Sequence, residues 1–126
     1  MRLLGIDFGD KKIGISVSDE TGTFAFPKEV IENNESAISK IATLVLEGRV
    51  DKIIFGLSQN SQGEENPIMK IARAFADELK KMTEKEIVFQ NEAFSSVHAR
   101  IDSEKNIDAS AAAIILQRYI DSHGNN

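Results

Sequence analysis

Apolar positions along the chain fall into two rhythms, and the switch between them sets the expected fold. Leu3-Leu4-Gly5-Ile6-Asp7-Phe8 is apolar on both faces, the mark of a central strand. Gly9-Asp10-Lys11-Lys12 reads as a turn. Ile13, Ile15 and Val17 then alternate with Gly14, Ser16 and Ser18, a half-buried strand. Asp19-Glu20-Thr21-Gly22 is a second turn, and Thr23 to Ile31 supplies a third strand whose Pro27 marks an edge or a bulge. The chain is therefore expected to open as an antiparallel meander.

After that, helix and strand alternate. Ser36 to Glu47 carries Ile38, Ile41, Leu44 and Val45 at helical spacing, with Gly48 as a stop. Lys52 to Gly56 is a short buried strand, and Leu57 to Glu65 a polar, Gly-containing loop. Asn66-Pro67 starts a helix whose apolar stripe reads Ile68, Ile71, Phe75, Leu79 and Met82. Glu86 to Gln90 is the next strand, Ser95 to Ser103 a candidate short helix, and Asp108 to Ser122 a closing helix. The order βββ-α-β-α-β-α implies a mixed sheet with helices on its faces. Phe24, Phe26, Phe55, Phe75 and Phe89 sit on these stripes and are assigned to the core. Ile114, off the closing helix's main stripe, is a candidate exposed contact.

A length of 126 residues fits one domain, residues 1–126, with about 121–126 as a frayed tail. The chain has no Cys, which excludes disulfides and thiolate metal sites. No apolar run nears the ~18 residues of a membrane span. The start shows no cleavage-site pattern, so a cytoplasmic protein is expected. Fifteen basic against twenty acidic residues give a net charge of −5, which argues against indiscriminate nucleic-acid binding. Local basic groups or a bound cation still permit a nuclease.

Three carboxylates carry the candidate chemistry. Asp7 ends an apolar strand, where a charge must be solvated, paired or bound to metal. Glu92 follows the apolar strand Ile87-Val88-Phe89. Asp108 stands where a helix N-cap would, yet Ala111 occupies the capping-box position, so the reciprocal bond is missing. Asp108 also lies in register with Ala112, Ile115 and Tyr119, the stripe expected to face the sheet. Three acids at strand ends and a helix start converge only if those ends lie side by side; their repulsion then calls for Mg²⁺ or Mn²⁺. No His pair has metal spacing, which disfavours zinc. His98, His123, Arg100 and Arg118 read first as surface residues.

The run from Leu4 to Asp19 resembles the opening of the YqgF family, also called RuvX. Its members are described as pre-16S rRNA nucleases or Holliday junction resolvase-like proteins. Asp51 to Leu57 is similar to the family's fourth strand, Asn91-Glu92-Ala93-Phe94-Ser95-Ser96 to its acidic segment, and Ile107-Asp108 through Tyr119 to its C-terminal helix. The resemblance implies a ribonuclease H-like α/β fold. Its five-stranded mixed sheet would comprise a three-strand antiparallel meander and two parallel strands, with helices on both faces. It implies catalytic, metal-binding acids at Asp7, Glu92 and Asp108. The implied reaction is hydrolysis of nucleic-acid phosphodiesters, in structured RNA such as the 5′ end of pre-16S rRNA or in branched DNA. Two Mg²⁺ or Mn²⁺ ions about 4 Å apart would assist it. Lys11, Lys12 and Arg100 would be substrate-binding.

Four positions depart from the family pattern. Asn91 replaces Asp, Ala93 replaces Arg, Ser58 stands where Pro is common, and Asp10 where a neutral residue is usual. These changes thin the phosphate grip and raise an alternative: a catalytically weak or inactive nucleic-acid or protein binding module of the same fold. A second alternative is a nucleotide-handling enzyme, because Asp7-Phe8-Gly9 also resembles the phosphate loop of the actin and sugar-kinase fold. Those proteins close two such domains on ATP, and this chain has length for one.

Overall fold

Five strands form one sheet in the order β3-β2-β1-β4-β5: β1 Leu3–Phe8, β2 Lys12–Ser18, β3 Ala25–Glu32, β4 Lys52–Leu57 and β5 Glu86–Asn91. The computed structural model describes residues 1–91 and 107–123. β1, β2 and β3 pair antiparallel, whereas β4 runs parallel to both β1 and β5. The carboxyl ends of β1, β4 and β5 therefore share one edge. Three helices complete the described structure: α1 Ala37–Glu47, α2 Ile68–Thr83 and α3 Ile107–His123. The segment Ser95 to Ser103, expected as a short helix, lies outside the described residues.

The double-faced apolar pattern of β1 is used on both sides. Leu4, Ile6 and Phe8 join Ile13, Ile15, Ile53 and Phe55 beneath α1 and α2. Leu3, in the alternate set, joins Ile54 beneath Ile115, Leu116 and Tyr119 of α3. α3 approaches the sheet closely over Gly5. The Ser16 hydroxyl, buried beside that glycine, donates to the Ala112 carbonyl at 2.8 Å. At the far end of α3, Lys52 Nζ donates to the Tyr119 hydroxyl at 3.1 Å. That bond, with the nearby Glu86 carboxylate, holds the ammonium above its ordinary value despite partial burial. Between these points Gln117 accepts from Ala25 N at 2.8 Å and donates to Thr23 O, tying α3 to the start of β3. These contacts make α3 antiparallel to β1, so its first turn lies toward the carboxyl end of β1.

Three expectations need correction. The stripe of α2 is rotated by about one residue: Met69, Ala72, Ala76, Leu79 and Thr83 are buried, while Ile71 is 56% and Met82 43% exposed. The small Ala72 and Ala76 let the helix sit close to the sheet, and the Thr83 hydroxyl is satisfied by the Leu79 carbonyl at 2.9 Å. Phe75 reaches inward from the flank, with its ring 5.0 Å from that of Phe8. Phe24 and Phe26 are not core; they are 59% and 51% exposed, Phe24 in the turn before β3 and Phe26 on β3, the sheet's edge strand. Asp121, Ser122 and His123 belong to the last turn of α3, where the His123 ring stacks on Tyr119 at 4.3 Å. Pro27 does sit on an edge strand beside a register shift, opposite Ser16. Ile114 is half-buried, in a shallow groove with Ala25 and Pro27.

The turn between β2 and β3 hangs on one carboxylate. Asp19 Oδ1 accepts from Thr23 N at 2.8 Å and Phe24 N at 3.3 Å, and Oδ2 from the Thr21 hydroxyl at 3.0 Å. The Thr23 amide, followed by these other donors, holds the carboxyl below its ordinary value of 3.8. A lowered folded value means that this stabilisation is present above the ordinary value and is lost as pH falls through the folded one. Asp19→Asn is therefore expected to lower the melting temperature at pH 7 and to narrow its gap from wild type at pH 2–3. Thermal scans at both pH values check this; a gap that widens in acid contradicts it.

Candidate active site

Asp7 is the best-placed candidate side chain among the described residues. It belongs to the set of β1 side chains that faces α3, one step before the strand's end, and it is half-buried. Its partner across the antiparallel pair is Gly14. On the other side the last paired rung with β4 is Ile6–Phe55, so the next residue beside Asp7 is Gly56. Asp7 is thus flanked on both neighbouring strands by residues without side chains. The carboxylate stands at the strand ends, where α/β sheets bind ligands. The same face of β5 continues through Val88 and Gln90.

Glu92 lies outside the described residues, as do Arg100 and His98. Asp108 enters the description as backbone in the first turn of α3. Its expected partners on the helix stripe, Ala112, Ile115 and Tyr119, are all buried against the sheet. Among the described residues no three of His, Asp or Glu gather as a metal cluster. Lys11 and Lys12 are exposed at the β1–β2 turn, on the edge that carries Asp7. Arg118 is half-buried.

One residue that pattern reading passed over shapes this turn. Gly9 N donates to Lys12 O at 3.0 Å, and a Cβ on Gly9 would stand 2.5 Å from that oxygen. Asn33, just past β3, donates from its side chain to Gly9 O at 2.8 Å and from its backbone to Lys11 O at 2.9 Å. Asn33 thereby braces the Lys11–Lys12 turn from a neighbouring strand. Its only sequence signal is an Asn pair after a strand, which does not say which turn it serves.

The polypeptide also presents an internally hydrogen-bonded loop at this edge. Residues 58–66 follow β4, between the ends of β1 and β5, and Arg73 of α2 grips Glu65 within it. That pairing holds Glu65 below and Arg73 above their ordinary values. Among the described residues no helix is long and apolar enough to cross a membrane.

A mixed sheet in this order, with two helices on one face and, on the other, a helix crossing the face that carries the acid at the end of the central strand, is the ribonuclease H-like fold of resolvases. RuvC of T. thermophilus in complex with Holliday junction substrate is 11% identical, with a TM-score of 0.64 over 98% of this chain and 96% of that one. The fowlpox virus resolvase in complex with Holliday junction DNA is 14% identical, with a TM-score of 0.63 over 97% and 98%. The chain belongs to the RuvX family, described as Holliday junction resolvase, whose model matches residues 1–122. It is 33% identical to a Streptococcus thermophilus protein named "Putative pre-16S rRNA nuclease", over 96% of this chain and 98% of that one. A Clostridium tetani protein of the same name is 37% identical over 97% of each. The family is one of nucleases, so the activity class is hydrolysis of phosphodiester bonds.

Proposed function

We propose that the chain is a cytoplasmic, divalent-cation-dependent nuclease, with Asp7, Glu92 and Asp108 as its catalytic and metal-binding acids. Structured RNA is the preferred substrate class, in line with relatives named for pre-16S rRNA. Branched DNA is the alternative, in line with the family description. The observation that carries this reading is the setting of Asp7: half-buried, facing α3, between two glycines at the carboxyl edge of the sheet.

The run of α3 supports the choice of Asp108. Ala112 lies over Gly5 and Ser16. Four residues back along a helix is about 6 Å, and from Gly5 to Asp7 along a strand is about 6.6 Å. The start of α3 and Asp7 therefore lie at matching heights. Glu92 follows directly on Asn91, the last residue of β5, two strands from Asp7. Carboxylate oxygens are hard donors, which suits Mg²⁺ or Mn²⁺. When bound, such ions, two in this reading, lower the pKa of water and offset charge on the leaving oxygen.

The chain's own residues hold and orient. Asp7, at the centre, fixes the position of the cluster on a rigid strand. The flanking Gly14 and Gly56 add no side chain beside it. Lys11, Lys12 and Arg100 bind phosphate oxygens, with the Lys11–Lys12 turn held in place by Asn33. With a net charge of −5, few phosphate contacts are expected and hence a shallow salt dependence.

The test is cleavage of a stem-loop RNA and a four-way DNA junction with Mn²⁺ and with chelator. Cation-dependent cutting supports the reading. Cation-independent binding without cutting favours the binding module suggested by Asn91 and Ala93. Mn²⁺ at about a hundred times its Kd should also stabilise the fold by about 2.7 kcal/mol by mass action. Chelator should reverse that gain in a melting experiment.

A further inference from the structure

β1, β4 and β5 end side by side, and the polypeptide leaving the middle strand forms a self-braced loop at the candidate site. Within residues 58–66, Gln59 and Glu65 make an antiparallel bridge. Asn60 sits at its centre: its Oδ1 accepts from Gln62 N at 2.8 Å and Glu64 N at 3.0 Å, and its backbone N–H donates to Glu64 O at 2.7 Å. Asn66 closes the base, donating from its side chain to the Ser58 hydroxyl at 2.7 Å.

Two ties lead from this loop toward β5, the strand that precedes Glu92. The Arg73 guanidinium forks onto Glu65, with Nε 3.0 Å from Oε1 and a second bond to Oε2. It also lies 4.5 Å from the centre of the Phe89 ring. Asn91 donates to Gln59 Oε1 at 3.5 Å. The Arg73–Glu65 pair is about half exposed, and such pairs contribute little to stability. It does join the loop to α2.

The loop's charge is equally telling. Gln59, Asn60, Ser61, Gln62 and Gly63 are exposed and uncharged. Its two acids face partners within the structure, Glu64 the Asn60 amide at 3.1 Å and Glu65 the Arg73 fork. Within the loop, then, Arg73 offsets one of the two carboxylates and an amide bonds the other.

We propose that residues 58–66 form one wall of the nucleic-acid groove, touching substrate through Ser61 and Gln62, and that Arg73 is a positioning residue that holds this wall through Glu65 and Phe89. The inference rests on the nuclease reading above. Loss of the anchor weakens substrate binding before and during reaction alike, so KM rises while kcat stays. Arg73→Ala is expected to raise KM for the preferred substrate about tenfold, with kcat within about twofold of wild type. Glu65→Ala removes the anchor without baring a carboxylate and should reproduce most of that rise. Exchange of both charges, Glu65→Arg with Arg73→Glu, should recover part of it. Both positions are exposed, so at least Glu65→Ala is expected to fold. Lower melting temperatures with unchanged KM in both single variants would overturn the inference while leaving the nuclease reading intact. A wild-type protein that neither cuts nor binds nucleic acid removes both.

Discussion

Asp7→Asn should lower cleavage of the preferred nucleic acid by more than about a hundredfold, beyond the 10–100-fold typical of partners that only support metal ligands. The substitution keeps shape and removes one negative charge from a half-buried position. Its effect on the metal-free fold should therefore be a few degrees at most. The stabilisation that Mn²⁺ gives the wild type should vanish with it. Asp102→Asn, in the same chain but outside the proposed cluster, should retain both activity and the cation response, whereas Asp108→Asn should lose them. Equal cleavage by wild type and Asp7→Asn would mean that the cutting comes from another site or another protein. A preserved cation response in Asp7→Asn would remove Asp7 from the metal site.

The second large effect is structural. Gly5→Ala is expected to destabilise the fold by about 2–6 kcal/mol, because overpacking costs about 1–3 and a displaced buried hydroxyl about 1–3. A Cβ on Gly5 would lie 2.3 Å from Ser16 Oγ, and 3.0 Å from both Ala112 O and Leu116 Cβ. Neither the helix backbone nor a Cβ can swing aside as a long side chain would. The Ser16 hydroxyl would have to leave its bond to Ala112 O, or α3 would have to lift from the sheet. Against a total stability of about 5–15 kcal/mol this is a large fraction, and the melting temperature should fall by roughly 10 °C or more. Lifting α3 also moves the start of that helix relative to Asp7, so activity should drop further than the folded fraction alone explains. Circular dichroism melts decide the first point: a Gly5→Ala protein melting within about 2 °C of wild type would contradict the close approach of α3.

Much of the architecture is written in local pattern. The apolar run of β1 and the buried stripe of Ala112, Ile115 and Tyr119 predict what is observed, because the periods of strand and helix are local properties of the chain. The alternation in β2 predicts a strand but not its burial: expected half-buried, it is covered on both faces, with Ser16 and Ser18 buried as well. Pro27 announces an edge because a missing N–H can be tolerated only there. The candidate site was legible in part. Asp7 stood out as an acid ending an apolar strand, but nothing in the sequence says that Gly14 and Gly56 are its neighbours. That follows from the register of β1 with strands formed several or nearly fifty residues later.

The rest was decided by contacts between distant segments. Hydrophobicity marked Ile71 and Met82 for the core of α2, yet Ala72 and Ala76 occupy it, because closeness to the sheet rewards small side chains over greasy ones. Phe26 looks like a core residue until strand order makes β3 an edge. The Asn33 brace and the Arg73–Glu65–Phe89 anchor each join parts of the chain whose separation carries no periodic signal. By itself, then, the sequence determined which of the described segments become strands and helices, and in what order, and it marked Asp7 as a candidate acid. Only the tertiary structure decided which faces are covered and which turns are held. Secondary structure follows from interactions within a few residues, whereas burial and bracing depend on which distant segments come to lie side by side.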